Sequence, residues 1–516
     1  MEEFLMLPVP RRLKALIQPL AAIVETVDEV TAGFGDDAVD YGVFEEQAAA
    51  KVAAVEQAMH AVALSKLDID SDFVKVWGSV HKRVGRYEAE YRCMSGPVRV
   101  TRSLYRKVGD RNGSTVDPVS LRAGVVGDGW LPRTARAMAH MLSKGTSREA
   151  EGTSQELLRL PYSRTSFERV GHAVGALYRG ASGRIEEALI EAYEVPPAAR
   201  SVSVSVDRVS LPMEELPPKR AARDPERTEM LDAWAASVGQ RYEVSPRLAA
   251  ALDEQKREVA RHPAKVERNW RMAYCATVTL HDEHGEALHT IRYGRMPAGD
   301  VRGLMRGLAR DVRELRQKRP DLRVVFLADG APELWGLCDY YLSKRDVGIE
   351  AVRLLDFWHV VEYLAAAARL LESREKAWPG QFRRWKEALL ERPRAAAKIL
   401  KELQDSGLAK TRDIEGNQPV AAAIRYMETR LPLMRYAAAR RLGLPIGSGN
   451  VEATCKSLVA LRMKRPGARW KHDSGDEVLQ LRALMLSDRW APAIRRALNP
   501  CRKPVKALSS WEARAA

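Results

Sequence analysis

Two short apolar runs, each closed by a carboxylate and separated by a helix-length segment, set the tightest limit on what this chain can fold into. Residues 322–329 read LRVVFLAD and residues 350–356 read EAVRLLD. A mostly apolar run of so few residues marks a strand buried on both faces. PELWGLCDYYL, between them, has helical spacing. Strand, helix and strand with short links require parallel neighbours joined by a right-handed crossover. Asp329 and Asp356 then fall at adjacent carboxyl ends, where open α/β sheets gather their ligands.

The segments around this unit extend it. RSVSVSVDRVSL alternates small polar residues with valine, which predicts a strand ending at Asp207. MAYCATVTL and ALHTIRYGR flank the turn Asp282-Glu283-His284-Gly285 and predict an antiparallel hairpin. DVRGLMRGLARDVRELRQ has helical periodicity. From Arg200 the order is therefore a three-strand meander, helix, strand, helix, strand, and later LGLPIGSGN leading into VEATCKSLVALRM, whose first turn holds Glu452. This is the order of an α/β ribonuclease H-like core with a mixed sheet. A charged, largely helical insertion interrupts it at about 215–268, and an all-helical insertion occupies 359–445.

The rest of the chain reads as mainly helical and basic. Residues 11–66 have helical spacing and pack on each other or on a partner chain. A hairpin about Ser95-Gly96-Pro97 carries Arg99, Arg102, Arg106 and Lys107 on its second strand. Three helical patterns follow between 132 and 183, the last given a capping-box start by Thr165 and Glu168. They suit either a helix-turn-helix, with Arg164, Arg169 and His172 meeting bases, or an ordinary helical hairpin with charged faces. The expected units are 1–75, 76–130, 131–195, a catalytic domain of 196–358 with 446–490, the 359–445 insertion, and a basic C-terminal tail of 491–516.

A formal charge of +15, from 83 Lys+Arg against 68 Asp+Glu, points to a polyanionic partner. The five cysteines show no metal-binding spacing, which predicts a reduced, cytoplasmic setting. MEEFLMLPVPRR is too short and too acidic for a signal peptide, and no apolar run reaches membrane-spanning length. Asp207, Asp329 and Glu452 are hard carboxylates without thiolate partners, a set suited to Mg²⁺ or Mn²⁺. Two such ions serve in-line displacement at phosphorus. LRMKRPGARWKH concentrates Arg462, Lys464, Arg465, Arg469 and Lys471 around Trp470, the best candidate for contact with DNA. Scattered Trp378, Trp385, Trp490 and Trp511 suit helix packing. Lys456, four residues after Glu452, either pairs with it or meets a phosphate.

SVDRVS, FLADGAPELW, LLDFWHVVEYL and IGSGNVEATCKSLVALRMKRPGARW together resemble the DDE transposases of bacterial insertion sequences, in particular the Kra-type group and its Mutator-like relatives. The likeness runs from about Arg200 to Trp490. It implies Asp207, Asp329 and Glu452 as the catalytic triad, with Asp207 bridging two Mg²⁺ ions, recognition of double-stranded element ends, strand transfer, and a homodimer or larger synaptic assembly. The D-x-x-H element of such enzymes is matched by Asp356-Phe357-Trp358-His359, where Asp356 would orient the imidazole of a metal ligand, a DNA contact or a packing residue. One departure is Arg208, where relatives carry a glycine; its cation is a candidate phosphate contact. Two rival readings keep part of this picture. One is a ribonuclease H-like nuclease or junction resolvase without strand transfer, the other a DNA-binding repressor without catalysis.

Overall fold

The computed structural model describes residues 8–35, 38–215, 267–297, 299–371 and 378–515. The charged insertion expected at about 215–268 lies almost wholly outside them. Helices α1 (Ile17–Ala32) and α2 (Tyr41–Ser65) precede the antiparallel strands β1 (Phe73–Val76), β2 (Ser79–Cys93), β3 (Gly96–Lys107) and β4 (Thr115–Val116). Helices α3 (Pro118–Ala123), α4 (Pro132–Lys144), α5 (Ser147–Glu156), α6 (Arg164–Arg179) and α7 (Ser182–Glu191) follow.

A mixed sheet comes next, built from β5 (Ser201–Glu215), β6 (Glu267–His281), β7 (Ala287–Arg295), β8 (Arg323–Ala328) and β9 (Val352–Leu355). Its order is β7-β6-β5-β8-β9, with β5 antiparallel to β6 and parallel to β8, and β8 parallel to β9. Helix α8 (Val301–Lys318) enters β8, while α9 (Pro332–Tyr341) and α10 (Lys344–Val347) link β8 to β9. The protein is thus a mixed α/β structure with two sheets.

Alternation along β5 assigns the faces. Val202, Val204 and Val206 join Ala276, Val278 and Leu280 under Leu304, Leu308 and Val312 of α8 and Leu334 of α9. Asp207 has the other parity, on the face where Leu211, Met213 and Cys275 meet Val451, Leu458 and Leu479. The strand does not end at the carboxylate as expected. β6 pairs with β5 through Glu215, whereas β8 pairs only as far as Ser205, so the β6 ladder continues to satisfy the backbone beyond Asp207.

Beyond β9 the helical insertion comprises α11 (Phe357–Leu371), α12 (Trp378–Glu391), α13 (Ala395–Asp405), α14 (Pro419–Glu428) and α15 (Tyr436–Arg441). It has its own core of Leu364, Trp385, Leu389, Ile399, Leu403, Val420 and Met427, anchored on Leu355 and Phe357. The chain returns through α16 (Gly449–Thr454), a π turn at Cys455–Ala460, α17 (Leu461–Met463), α18 (His472–Leu486) and α19 (Trp490–Leu498). Strand β10 (Lys506–Leu508) and helix α20 (Ser510–Ala515) complete it.

Several boundaries differ from expectation. Residues 131–195 do not form a separate unit, because Ala135, Met138, Phe167, Val170 and Val174 share one core with Leu481, Leu484, Trp490 and Ile494. Nor is 491–516 a tail. α19 fills that core, and β10 pairs with β1 at the edge of the N-terminal sheet. The capping box falls one helix earlier than expected, with Thr146 and Glu149 starting α5. Glu168 instead accepts from Ser147 Oγ at 2.5 Å, tying α6 to α5. Of the four tryptophans expected to pack helices, Trp385 and Trp490 are buried, Trp511 is exposed, and the Trp378 side chain lies outside the described residues.

Candidate active site

Asp207, Asp329 and Glu452 come from three elements. Asp207 stands on β5 where the parallel pairing with β8 has just ended, Asp329 follows the last residue of β8, and Glu452 lies in the first turn of α16. One Asp207 oxygen accepts from the Arg208 N–H at 2.6 Å and the other from Cys455 Sγ at 3.4 Å. Asp329 Oδ1 accepts from the Ala331 N–H at 2.9 Å. Among the described residues no lysine or arginine pairs with any of the three acids.

This concentration of like charge is felt. Burial, and then the nearby Asp329 carboxylate, hold Asp207 above the usual carboxylate range. Burial, then Asp356 and Asp207, do the same for Glu452. His359 is the one neighbouring base, with Nε2 3.5 Å from Glu452 Oε1 and Nδ1 3.6 Å from Glu362 Oε2. Asp356, His359 and Glu452 each place one ligand atom within 4.8 Å of the others, a group that could hold a metal ion.

Asp356 itself is committed elsewhere. It is fully buried; Oδ1 accepts from the N–H groups of Trp358 at 2.7 Å and His359 at 3.0 Å, and Oδ2 accepts from Ser448 N–H. It therefore starts α11 and braces the 446–449 loop that leads into α16. The expectation that it orients the imidazole fails, because it meets the backbone of His359 and not the ring. The flanking glycines serve packing. A Cβ on Gly330 would come within 2.6 Å of Tyr426 and 2.5 Å of Arg430, whose guanidinium donates to Gly330 O at 2.6 Å. The insertion thus holds the loop after Asp329. A Cβ on Gly447 would stand 3.0 Å from the Trp358 ring.

The candidates for DNA contact divide. Arg164 and Arg169 on α6, and Arg469 and Lys471 before α18, are exposed. His172 faces inward, its Nδ1 2.8 Å from Glu477 Oε2 on α18. Arg208 points to the opposite face of the sheet from Asp207 and pairs with Glu333, which also accepts from Tyr274 at 2.6 Å. Arg462 is buried against the Trp470 ring, 5.1 Å from its centroid, and burial lowers its guanidinium to about 10. Trp470 donates to Met463 O at 2.9 Å and packs under β5, so its ring is not a free stacking platform. Arg465 pairs with Glu149 at 2.5 Å, and Lys464 reaches Ser210 Oγ at 3.4 Å. Lys456 is exposed and makes no ion pair with Glu452.

Two features were not foreseen from the sequence. The first is the π turn at Cys455–Ala460, which opens at the thiol that meets Asp207. The second is a cleft of about 930 Å³ on the α8/α9 side of the sheet, lined by Arg302, Arg306 and Arg313 together with Tyr274, Glu333 and Tyr340. The three arginines fall on one face of α8 and make no ion pair among the described residues. Their spacing was readable as an arginine stripe. No helix among the described residues is long and apolar enough to cross a membrane. No protein-family model matches the chain, and no curated protein matches it.

Proposed function

We propose that this protein is a DDE transposase with a ribonuclease H-like core, which recognises double-stranded element ends and cuts and joins DNA strands. The observation that carries the reading is the approach of Asp207, Asp329 and Glu452 from β5, β8 and α16 to one end of a sheet ordered β7-β6-β5-β8-β9. The donor set fits divalent ions. Asp329 raises the carboxyl of Asp207, Asp207 raises that of Glu452, and no basic partner stands beside them beyond His359, a repulsion that a hard dication relieves. Asp207, Asp329 and Glu452 would hold Mg²⁺ or Mn²⁺, with His359 beside Glu452; bound ions supply Lewis-acid activation of the attacking oxygen and stabilisation of the leaving one.

The remaining residues position this set. Asp356 fixes the 446–449 loop and so the start of α16; Arg430 fixes the loop after Asp329. The Cys455 thiol, held above the usual thiol range by the neighbouring Cys275, by burial and by Asp207, donates to Asp207 and aims it. Arg164, Arg169, Arg469, Lys471 and the α8 arginines offer exposed cations to phosphates. We extend the proposal to a dimer, because α1 leaves Ile17, Leu20, Val24 and Val27 exposed along one stripe.

Cleavage and joining of a labelled duplex carrying the element ends, with Mg²⁺ or Mn²⁺, tests the reading. Asp207→Asn, Asp329→Asn and Glu452→Gln are each expected to reduce joined product by about 10³-fold or more. Cleavage without joining would make the protein a nuclease. DNA binding indifferent to metal, with no cleavage, would make it a repressor.

A further inference from the structure

Glu56 and His60 stand one turn apart on α2, and Cys93 ends β2 against them. One ligand atom from each lies within 4.8 Å of the other two, and Glu56 Oε1 is 3.9 Å from His60 Nε2. Oxygen, imidazole nitrogen and sulfur together suit zinc and not the hard ions of the carboxylate site. Tetrahedral bonds of about 2.0–2.3 Å put neighbouring ligand atoms roughly 3.3–3.6 Å apart, so a small closure brings the three into range.

The surroundings are arranged as those of a metal thiolate are. Cys93 is buried, and the turn after it directs the N–H groups of Ser95 and Gly96 at its sulfur. Burial raises the thiol, and those N–H groups oppose the rise. The second oxygen of Glu56 is fixed by Arg159 at 2.8 Å and by Ser95 Oγ at 2.5 Å, leaving Oε1 turned toward His60. Gln57 Nε2 donates to Ser95 O at 2.7 Å, holding the same turn against the helix.

We propose that Glu56, His60 and Cys93 form a zinc site that pins α2 to the tip of the β2–β3 hairpin, with water as the fourth ligand. On binding, the Cys93 thiol releases its proton to solvent and the sulfur bonds to the ion. Thiolate and carboxylate then balance the dication, and Arg159 keeps its contact with Glu56. The site is independent of the carboxylates on the catalytic sheet and of the function proposed for them.

Cobalt(II) is the probe, added to chelator-treated full-length protein. One equivalent is expected to give intense visible d–d bands and a near-ultraviolet thiolate-to-cobalt charge-transfer band, both lost when Zn²⁺ is added. Cys93→Ser removes the charge-transfer band, and His60→Ala weakens cobalt binding at least about tenfold. Cys455→Ser, which alters the thiol beside Asp207, leaves the band in place. Absence of the band in the unmodified protein overturns the proposal. So does a band that survives Cys93→Ser or disappears with Cys455→Ser, since either puts the cobalt at another thiol.

Discussion

Asp356 shows how far a residue's part depends on what folds around it. In the chain it is one acid of a D-x-x-H pair; in the fold its two oxygens take three backbone N–H groups at the junction of β9, α11 and the 446–449 loop. Asp356→Ala leaves those donors buried and unpaired, and should destabilise the protein by about 2–4 kcal/mol in urea melts. Asp356→Asn, which keeps one acceptor oxygen, should cost less than half of that. Asp207 behaves differently. Its carboxyl is raised in the fold by burial and then by Asp329, so its protonated form stabilises the fold at low pH, and that stabilisation is lost as pH rises through the folded value. At neutral pH the ionised acid therefore works against the metal-free fold. Asp207→Asn should raise the metal-free melting temperature by about 1–3 °C. Mg²⁺ should raise it for the unmodified protein but not for the variant; a lower melting temperature in the variant would show that its hydrogen bonds outweigh its repulsion.

At the scale of elements, α8 joins two tasks on opposite faces. Leu304, Leu308, Val312 and Leu315 bury one side of it against the sheet, and Arg302, Arg306 and Arg313 stand free on the other. If these arginines meet phosphates, replacing all three with glutamine should reduce the slope of log affinity for DNA against log salt by about 2–3. Arg462→Gln, in contrast, should leave the slope unchanged and lower stability, because this arginine packs on Trp470 away from solvent. The buried Asp311 on α8 supplies a pH test of the same helix. It pairs with Arg310 at 3.0 Å and accepts from Tyr293, yet burial raises it to about 6. Its stabilising protonated form is complete below the ordinary carboxylate range and lost as pH rises through about 6. The melting temperature of the unmodified protein should fall relative to Asp311→Asn between about pH 4 and 6, the window this shift defines. A rise would mean that the Arg310 pairing wins.

The whole molecule is knit by contacts that cross the chain end to end. α19 completes the core beneath α4 and α6, and β10 closes an edge of the sheet begun by β1. Removing residues 490–516 uncovers that core, so the truncated chain should lose cooperative unfolding altogether, as followed by circular dichroism. The exposed stripe of α1 belongs to the same scale. Val24→Asp should convert a dimer into a monomer in light scattering, while a monomeric parent would remove the reason for invoking a partner.

Local patterns carried much of this architecture. Strands ending at Asp329 and Asp356, the hairpin about Asp282–Gly285, the helix bearing Glu452 and the helical run after Phe357 all follow from periods of 2 and 3.6 and from turn residues, which neighbouring side chains alone set. The basic loop at 461–471 divides for a related reason. Charge is visible in the chain, but burial is not, and Arg462 and Trp470 face inward against β5 and α4. The same holds for His172, drawn to Glu477 across some 300 residues of chain, and for the Cys455 thiol that meets Asp207. Which acids share a site, which cations stay free and where an isolated cysteine meets a histidine are questions of distance between segments remote in sequence. Those distances are set when the cores of α18, α19 and the two sheets close, and no local pattern encodes them.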